Sequence, residues 1–301
     1  CSRKANGTEQ DMRSLVYTII YGSIIGLGLP LNIVSLWILL RHHGFKSPSA
    51  VFMVHLVISD LLLIISLSMK VSIYATDSWN LEKMWCLCFT MLFRNNVRSS
   101  SIFITFISVD RLLAVVYPLR SRLIRTPANA LKGSALVWLI VLLVNIPESV
   151  GFKRNHDNHT TCFDAGNMTT EAGDKTLEHT IDYIQLVLLL TMLVVNIVST
   201  VMVSCTLQRH LSESARVSNK MNVMLIFAMN LTMFIVFFLP VSLVVFIEEW
   251  RPVLSCLASV NCCLDPLLYY FSFDGFWKRK ESVETTLANR RFEQTENTFA
   301  I

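Results

Sequence analysis

Seven apolar stretches separated by short polar segments limit what this chain can fold into. They run over approximately 14–40, 49–75, 87–117, 129–150, 180–206, 221–247 and 252–272. Each reaches the roughly 20 residues needed to cross a hydrocarbon core. At that length in lipid only a helix satisfies its own backbone hydrogen bonds, so an all-α bundle of seven transmembrane helices is expected. Composition agrees. Only 16% of the residues are charged and 53% are hydrophobic, whereas about 25% charge is usual for a soluble domain. The expected organisation is an outer N-terminus over 1–13, the bundle over 14–272, and an inner surface helix and tail over 273–301. The net charge of +4 bears on orientation, and no nucleic-acid partner is expected.

Lys and Arg set the orientation. With the N-terminus outside, the inner segments hold 14 of these cations and the outer segments 8, which favours a cytoplasmic C-terminus in a plasma-membrane protein. Sequons supply a separate argument. Asn6, Asn158 and Asn167 head Asn-X-Thr triplets in segments assigned outside, while Asn230 heads one within the sixth span and should carry no glycan. No cleavable signal peptide is visible, and the chain begins with Cys1 rather than Met, leaving room for upstream sequence. After the seventh span, residues 271–280 combine aromatic residues with Lys278, Arg279 and Lys280, which suits an amphipathic helix on the inner membrane surface.

Polar residues inside spans are costly and mark function. Here they come about one per span: Asn32 in the first, Asp60 in the second, Asp110-Arg111 ending the third, and Asp265-Pro266-Leu-Leu-Tyr269 in the seventh. Trp138 marks the fourth span and Pro240 the sixth. In this order the set resembles the class A (rhodopsin-like) G-protein-coupled receptors over about residues 14 to 290. Ser-Val-Asp-Arg-Leu-Leu-Ala-Val-Val-Tyr-Pro-Leu, Phe-Phe-Leu-Pro and Asn-Cys-Cys-Leu-Asp-Pro-Leu-Leu-Tyr-Tyr-Phe resemble the branch of nucleotide, lysophospholipid and protease-activated receptors.

The resemblance implies a receptor that couples to a heterotrimeric G protein, with arrestin and a receptor kinase as further partners and lipid around it. Arg111 would pair with Asp110 at rest and face the transducer once released. Phe234, Phe238 and Pro240 would form the hinge of the sixth helix, and Asp265, Pro266 and Tyr269 the switch of the seventh. Asp60, Ser100, Asn261 and Asp265 would converge on a structural sodium ion, since two close buried carboxylates need a cation or a proton. No other cofactor is expected. Cys86 would be bridged to Cys162 in the second outer loop.

The outer half carries the most individual feature. Lys70 lies ten residues outward of Asp60, about 15 Å along a helix. Arg94 lies eight residues below Cys86, about 12 Å, and Arg98 one turn further on the same face. Three cations in a membrane bundle want anions. With Asn95 and Glu148 they form the expected binding site for a phosphate, carboxylate or lysophospholipid head group, Glu148 being the obvious internal partner. The alternative within this class is a protease-activated receptor with a tethered peptide. The alternative from another class is a transporter, against which no internal repeat is evident. No nucleophile–base pair, metal-binding motif or phosphate loop suggests an enzyme, and the seventh span has no Lys for a retinal linkage.

Several positions depart from the family pattern. Leu112 replaces the usual aromatic residue, the fifth span has no Pro and no Tyr in its inner half, and Ser68 stands where the branch usually has Pro. Only 25 residues separate Pro240 from Pro266, so the connecting turn is expected near Trp250-Arg251-Pro252. Cys256 would then sit inside the seventh span.

Overall fold

The computed structural model describes residues 2–76, 83–155, 172–209, 217–243, 246 and 248–270. In chain order the helices are α1 (Ser2–Ile38), α2 (Pro48–Thr76), α3 (Lys83–Val116), a short α4 (Pro118–Ser121), α5 (Pro127–Asn155) and α6 (Ala172–Arg209). There follow α7 (Val217–Met233), a short α8 (Leu239–Ser242), α9 (Arg251–Ser259) and α10 over 261–270. Among the described residues, seven segments are long and apolar enough to span a membrane: Met12–Arg41, Pro48–Thr76, Met84–Val116, Pro127–Pro147, Thr180–Gln208, Val223–Ser242 and Arg251–Tyr270. Each boundary falls within five residues of its expected place. The sixth span ends earliest against expectation, because the chain leaves the helix after Ser242 and turns through a 3-10 segment at Glu248–Trp250. Pro252, in the first turn of α9, helps restart the helix where a missing N–H costs nothing.

The third span sits centrally, packed against α2, α5, α6 and the sixth span. Phe103, Ile104 and Ile107 of α3 are buried with Leu56 and Val57 of α2 and with Phe234 and Phe238. Outward-facing side chains of α5 and α6, such as Leu139, Leu143, Ile146, Val187 and Val194, are exposed and apolar. In lipid that surface is solvated, so apolar burial cannot drive helix association there. Close packing and polar ties carry that role, at about 0.6 kcal/mol for an average interhelical hydrogen bond. Asn196 Nδ2 donates to Thr105 Oγ1 at 3.1 Å, Asn230 Nδ2 to Ser108 Oγ at 2.7 Å, and Trp138 Nε1 to His55 Nδ1 at 3.2 Å. Asn230 is thus a core residue, which explains why its sequon is unsuited to a glycan.

Among the described residues, π-helical segments interrupt the ladders over Leu39–His43 and Phe234–Phe238. The first closes with Gly44 N–H donating to Leu39 O at 2.7 Å. Gly44 has φ 56°, a left-handed backbone that glycine adopts without a Cβ clash. Gly28 serves a different purpose. A Cβ there would meet Cys262 Sγ at 3.2 Å, Cys263 Sγ at 3.4 Å and Ile64 Cδ1 at 3.5 Å, so its bare backbone lets α1 approach α10. Asn32 secures the contact by donating to Gly28 O at 2.9 Å and Cys262 O at 2.8 Å.

Candidate ligand and transducer sites

Near the C-terminal end of α3, Asp110 is almost fully buried. Its carboxylate accepts Arg125 Nε at 2.7 Å and Arg125 Nη2 at 3.0 Å, and also accepts the Ser49 hydroxyl. The ion pair of Asp110 is with Arg125, from the turn between α4 and α5, where an Asp110–Arg111 pair was expected. The reason is helical geometry. Consecutive residues point about 100° apart, so Asp110 can turn to Ser49 of α2 and to the turn before α5. Arg111 Nε is enclosed and has no hydrogen-bond partner among the described residues.

In the middle of the bundle Asp60, Ser100, Asn261 and Asp265 are all fully buried. Asn96, which sequence reasoning missed, links several of their neighbours. Its Nδ2 lies 3.1 Å from Asp60 Oδ1, Ser59 Oγ and Ser100 Oγ alike. The available signal was its position one turn before Ser100 on the same helix face. Asp60 Oδ2, both oxygens of Asp265 and both side-chain polar atoms of Asn261 are buried without hydrogen-bond partners among the described residues. Orphaned acceptors around two carboxylates fit a bound cation. Pro266 is buried beside this group, and Tyr269 is buried with an unpartnered hydroxyl.

The sixth span combines its proline with the second π segment. Leu239 N–H reaches back to Phe234 O, and Pro240 follows in the next turn. Phe234 and Phe238 bracket this segment, both fully buried, with rings edge to face at 5.5 Å. The expected hinge residues are thus brought together where this helix takes a π-helical turn, a common mark of functional sites.

Toward the N-terminal end of α3 the cations divide between its two sides. Lys70 Nζ lies 4.0 Å from the centroid of Phe93 and 5.3 Å from that of Tyr21, in a group where Tyr17, Tyr21 and Tyr74 stack. Arg98 points toward α5 and α6, donating from Nη1 to Asn145 Oδ1 and from Nε to Gln185 Oε1, each at 3.1 Å. Asn95 Oδ1 accepts Asn145 Nδ2 at 2.6 Å. Arg94 is half-buried one turn outward of Arg98. Lys70, Arg94 and Arg98 all have further partners. Glu148 lies on α5, and its side chain is outside what the structure describes.

Cys86 is buried and disulfide-bonded, while Cys162 lies outside the described residues. Cys88, Cys205, Cys256, Cys262 and Cys263 are free, with Cys256 buried inside the seventh span. Asn158, Asn167 and the segment 271–301 fall outside the described residues, and Asn6 lies in α1 with its side chain undescribed.

The sequence model of the 7 transmembrane receptor (rhodopsin family) matches residues 31–269, most of the chain, with the second to sixth spans in full and parts of the first and seventh. The chain belongs to the rhodopsin family of seven-transmembrane receptors. It is a multi-pass membrane protein. Among curated relatives, this receptor is 30% identical to lysophosphatidic acid receptor 6 of Gallus gallus over 288 residues, covering 89% of this chain and 93% of the relative. It is 31% identical to lysophosphatidic acid receptor 4 of Homo sapiens over 278 residues, 86% and 75% of the two chains. The uracil nucleotide/cysteinyl leukotriene receptor of Homo sapiens is 27% identical over 292 residues, 90% and 77%. These relatives are receptors and not enzymes, and they place the chain in the lysophospholipid and nucleotide branch.

Proposed function

We propose that this receptor binds an extracellular anionic lipid of the lysophospholipid kind through Arg98 and Arg94, with Lys70 contributing from the other side of α3, and activates a heterotrimeric G protein through Arg111. The observation that carries the reading is the burial of Lys70 and Arg98, 7% and 9% exposed, in the outer half of a membrane bundle. Charge at that depth is costly and is retained for a pathway or a ligand. The relatives named for lysophosphatidic acid support a lipid ligand, and the nucleotide-named relative shares with them a phosphate-bearing one.

The same reading places the N-terminus and the Cys86–Cys162 bridge outside, glycans on Asn6, Asn158 and Asn167, and arrestin and receptor kinase at the inner face. Asp60, Ser100, Asn261 and Asp265, joined by Asn96, would hold a sodium ion, which would supply positive charge between the two carboxylates. At the inner end Arg125 and Ser49 hold Asp110. Arg111, once released from Asp110, would meet the C-terminal carbonyls of a transducer helix.

The test is a G-protein coupling assay in cells expressing the receptor, challenged with lysophosphatidic acid and then with other phosphate- and carboxylate-bearing lipids and nucleotides. Arg98→Ala should weaken the active lipid by about tenfold or more, the cost of a lost charge-assisted contact. Absence of a response to every anionic ligand, or unchanged potency in both Arg98→Ala and Arg94→Ala, refutes the reading.

A further inference from the structure

Arg251 opens α9, at the start of the seventh span. Helical spacing shows which face it stands on. Leu254, Ser255 and Ala258 share that face; the first two are half-buried and Ala258 is only 2% exposed. Trp250, Pro252 and Val253 are exposed. Arg251 therefore faces the interior, and its Nε is enclosed without a hydrogen-bond partner among the described residues. A cation in the first turn of a helix opposes the helix dipole, so stabilising α9 is not its role. Depth separates it from the other cations. Asn96 ties Ser100 to Asp60, and the Asp60 carboxyl meets that of Asp265, so these three mark one level of the bundle. Toward the end at which α3 and α9 begin, Arg98 lies two residues from that level, Arg94 six and Arg251 fourteen, about 3, 9 and 21 Å at the helical rise. The Lys70 amine, over the Phe93 ring, stands near the level of Arg94. Side chains on α3 and α9 tilt alike toward their helix N-termini, so Arg251 remains about 12 Å beyond Arg94.

We infer that Arg251 is a capture residue at the aqueous mouth of the bundle, which draws an anionic lipid in from the water rather than sideways from the bilayer and then releases it to the seat at Lys70, Arg94 and Arg98. This rests on the anionic-lipid reading above. One headgroup cannot touch Arg251 and the seat at once across about 12 Å, so the two act in sequence. The interior face and the enclosed Nε aim the guanidinium where a headgroup arriving from the water passes. A phosphate monoester carries up to about two negative charges near pH 7. At about 5 Å from one cation in water, screened by 0.1 M salt, its attraction corresponds to a factor of about five; at about 12 Å the factor is below about two. Arg251 therefore speeds passage and hardly alters the final affinity. A station on the path lowers the same barrier for entry and for exit, so it changes both rates by one factor.

The experiment follows tritiated 1-oleoyl lysophosphatidic acid binding to and leaving the full-length receptor in phosphatidylcholine nanodiscs, with empty nanodiscs subtracted. At 0.1 M salt Arg251→Gln should slow association and dissociation alike, each about fivefold, and shift the equilibrium affinity by less than about twofold. Arg251→Glu, a change of two charges, should slow both about thirtyfold, and it carries the test should Arg251→Gln not be recovered. Arg251→Lys should keep the wild-type rates. At 1 M salt the effect of Arg251→Gln should shrink below about twofold, which a merely structural role would not produce. Arg98→Gln should instead weaken the equilibrium affinity. A loss of affinity in Arg251→Gln as large as that in Arg98→Gln would make Arg251 part of the seat and overturn the inference. Unaltered rates in Arg251→Gln, with affinity lost in Arg98→Gln, would overturn it in favour of entry from the bilayer while leaving the anionic-lipid reading intact. A wild type without saturable binding would overturn that reading and the inference with it.

Discussion

Replacing Asp110 with Asn keeps the shape of the side chain and removes its charge. The wild-type carboxylate takes two hydrogen bonds from Arg125, at 2.7 and 3.0 Å, and one from Ser49. An amide has one acceptor oxygen, so at least one Arg125 bond is lost, any remaining one loses its anionic partner, and the Ser49 bond is no longer charge-assisted. A hydrogen bond to a charged group contributes about 1.5–3 kcal/mol. Arg125 is 25% exposed, so solvent screening puts the change near the low end, about 1.5 kcal/mol. If the contact belongs to the resting state, that energy shifts the balance between states about tenfold. A receptor resting at about 1% active would move to about 10%. The assay is agonist-free nucleotide exchange on a G protein, normalised to surface receptor. Arg125→Lys, which keeps the charge but loses the two-pronged geometry, should give an intermediate rise. Unchanged or lower basal exchange in an Asp110→Asn variant that reaches the surface would refute the role given to this contact.

Three further outcomes are expected. Arg111→Ala should abolish nucleotide exchange while leaving surface expression normal, and ordinary signalling by that variant would reject its transducer role. Asp265→Asn should remove any dependence of agonist affinity on sodium, read by radioligand competition in sodium against a bulky organic cation; a dependence that survives would place the ion elsewhere. Phe234→Ala, at a fully buried position packed edge to face on Phe238, should cost about 3–5 kcal/mol and lower the melting temperature of the detergent-purified receptor. An unaltered melting temperature would show that the segment repacks without loss.

The spans were legible because hydropathy over twenty residues is a strong signal, and Pro240, Asp60 and Asp265 were legible because lipid tolerates such residues only for a reason. The inner partner of Asp110 was not. Arg125 looks like any loop cation, and only the folded turn after α4 carries it to the carboxylate. Asn96 lay hidden in a polar run from Arg94 to Ser101, where composition does not tell which side chains meet. Depth along a helix was readable for Lys70 and Arg98, but azimuth was not, so their division between two sides of α3 emerged only from the packing. Both π segments were invisible too, since one extra residue in a turn leaves the apolar pattern almost unchanged.

The segment at Phe234–Phe238 has a consequence for how the sixth helix is read. Fitting an additional residue into one turn advances the following residues by about 100° around the axis. Face assignments made on the half before this segment therefore cannot be extended past it by counting in threes and fours. Each half can be tuned by substitution without disturbing the other's register, whereas shortening the segment by one residue would rotate every outer side chain of the helix to a new neighbour.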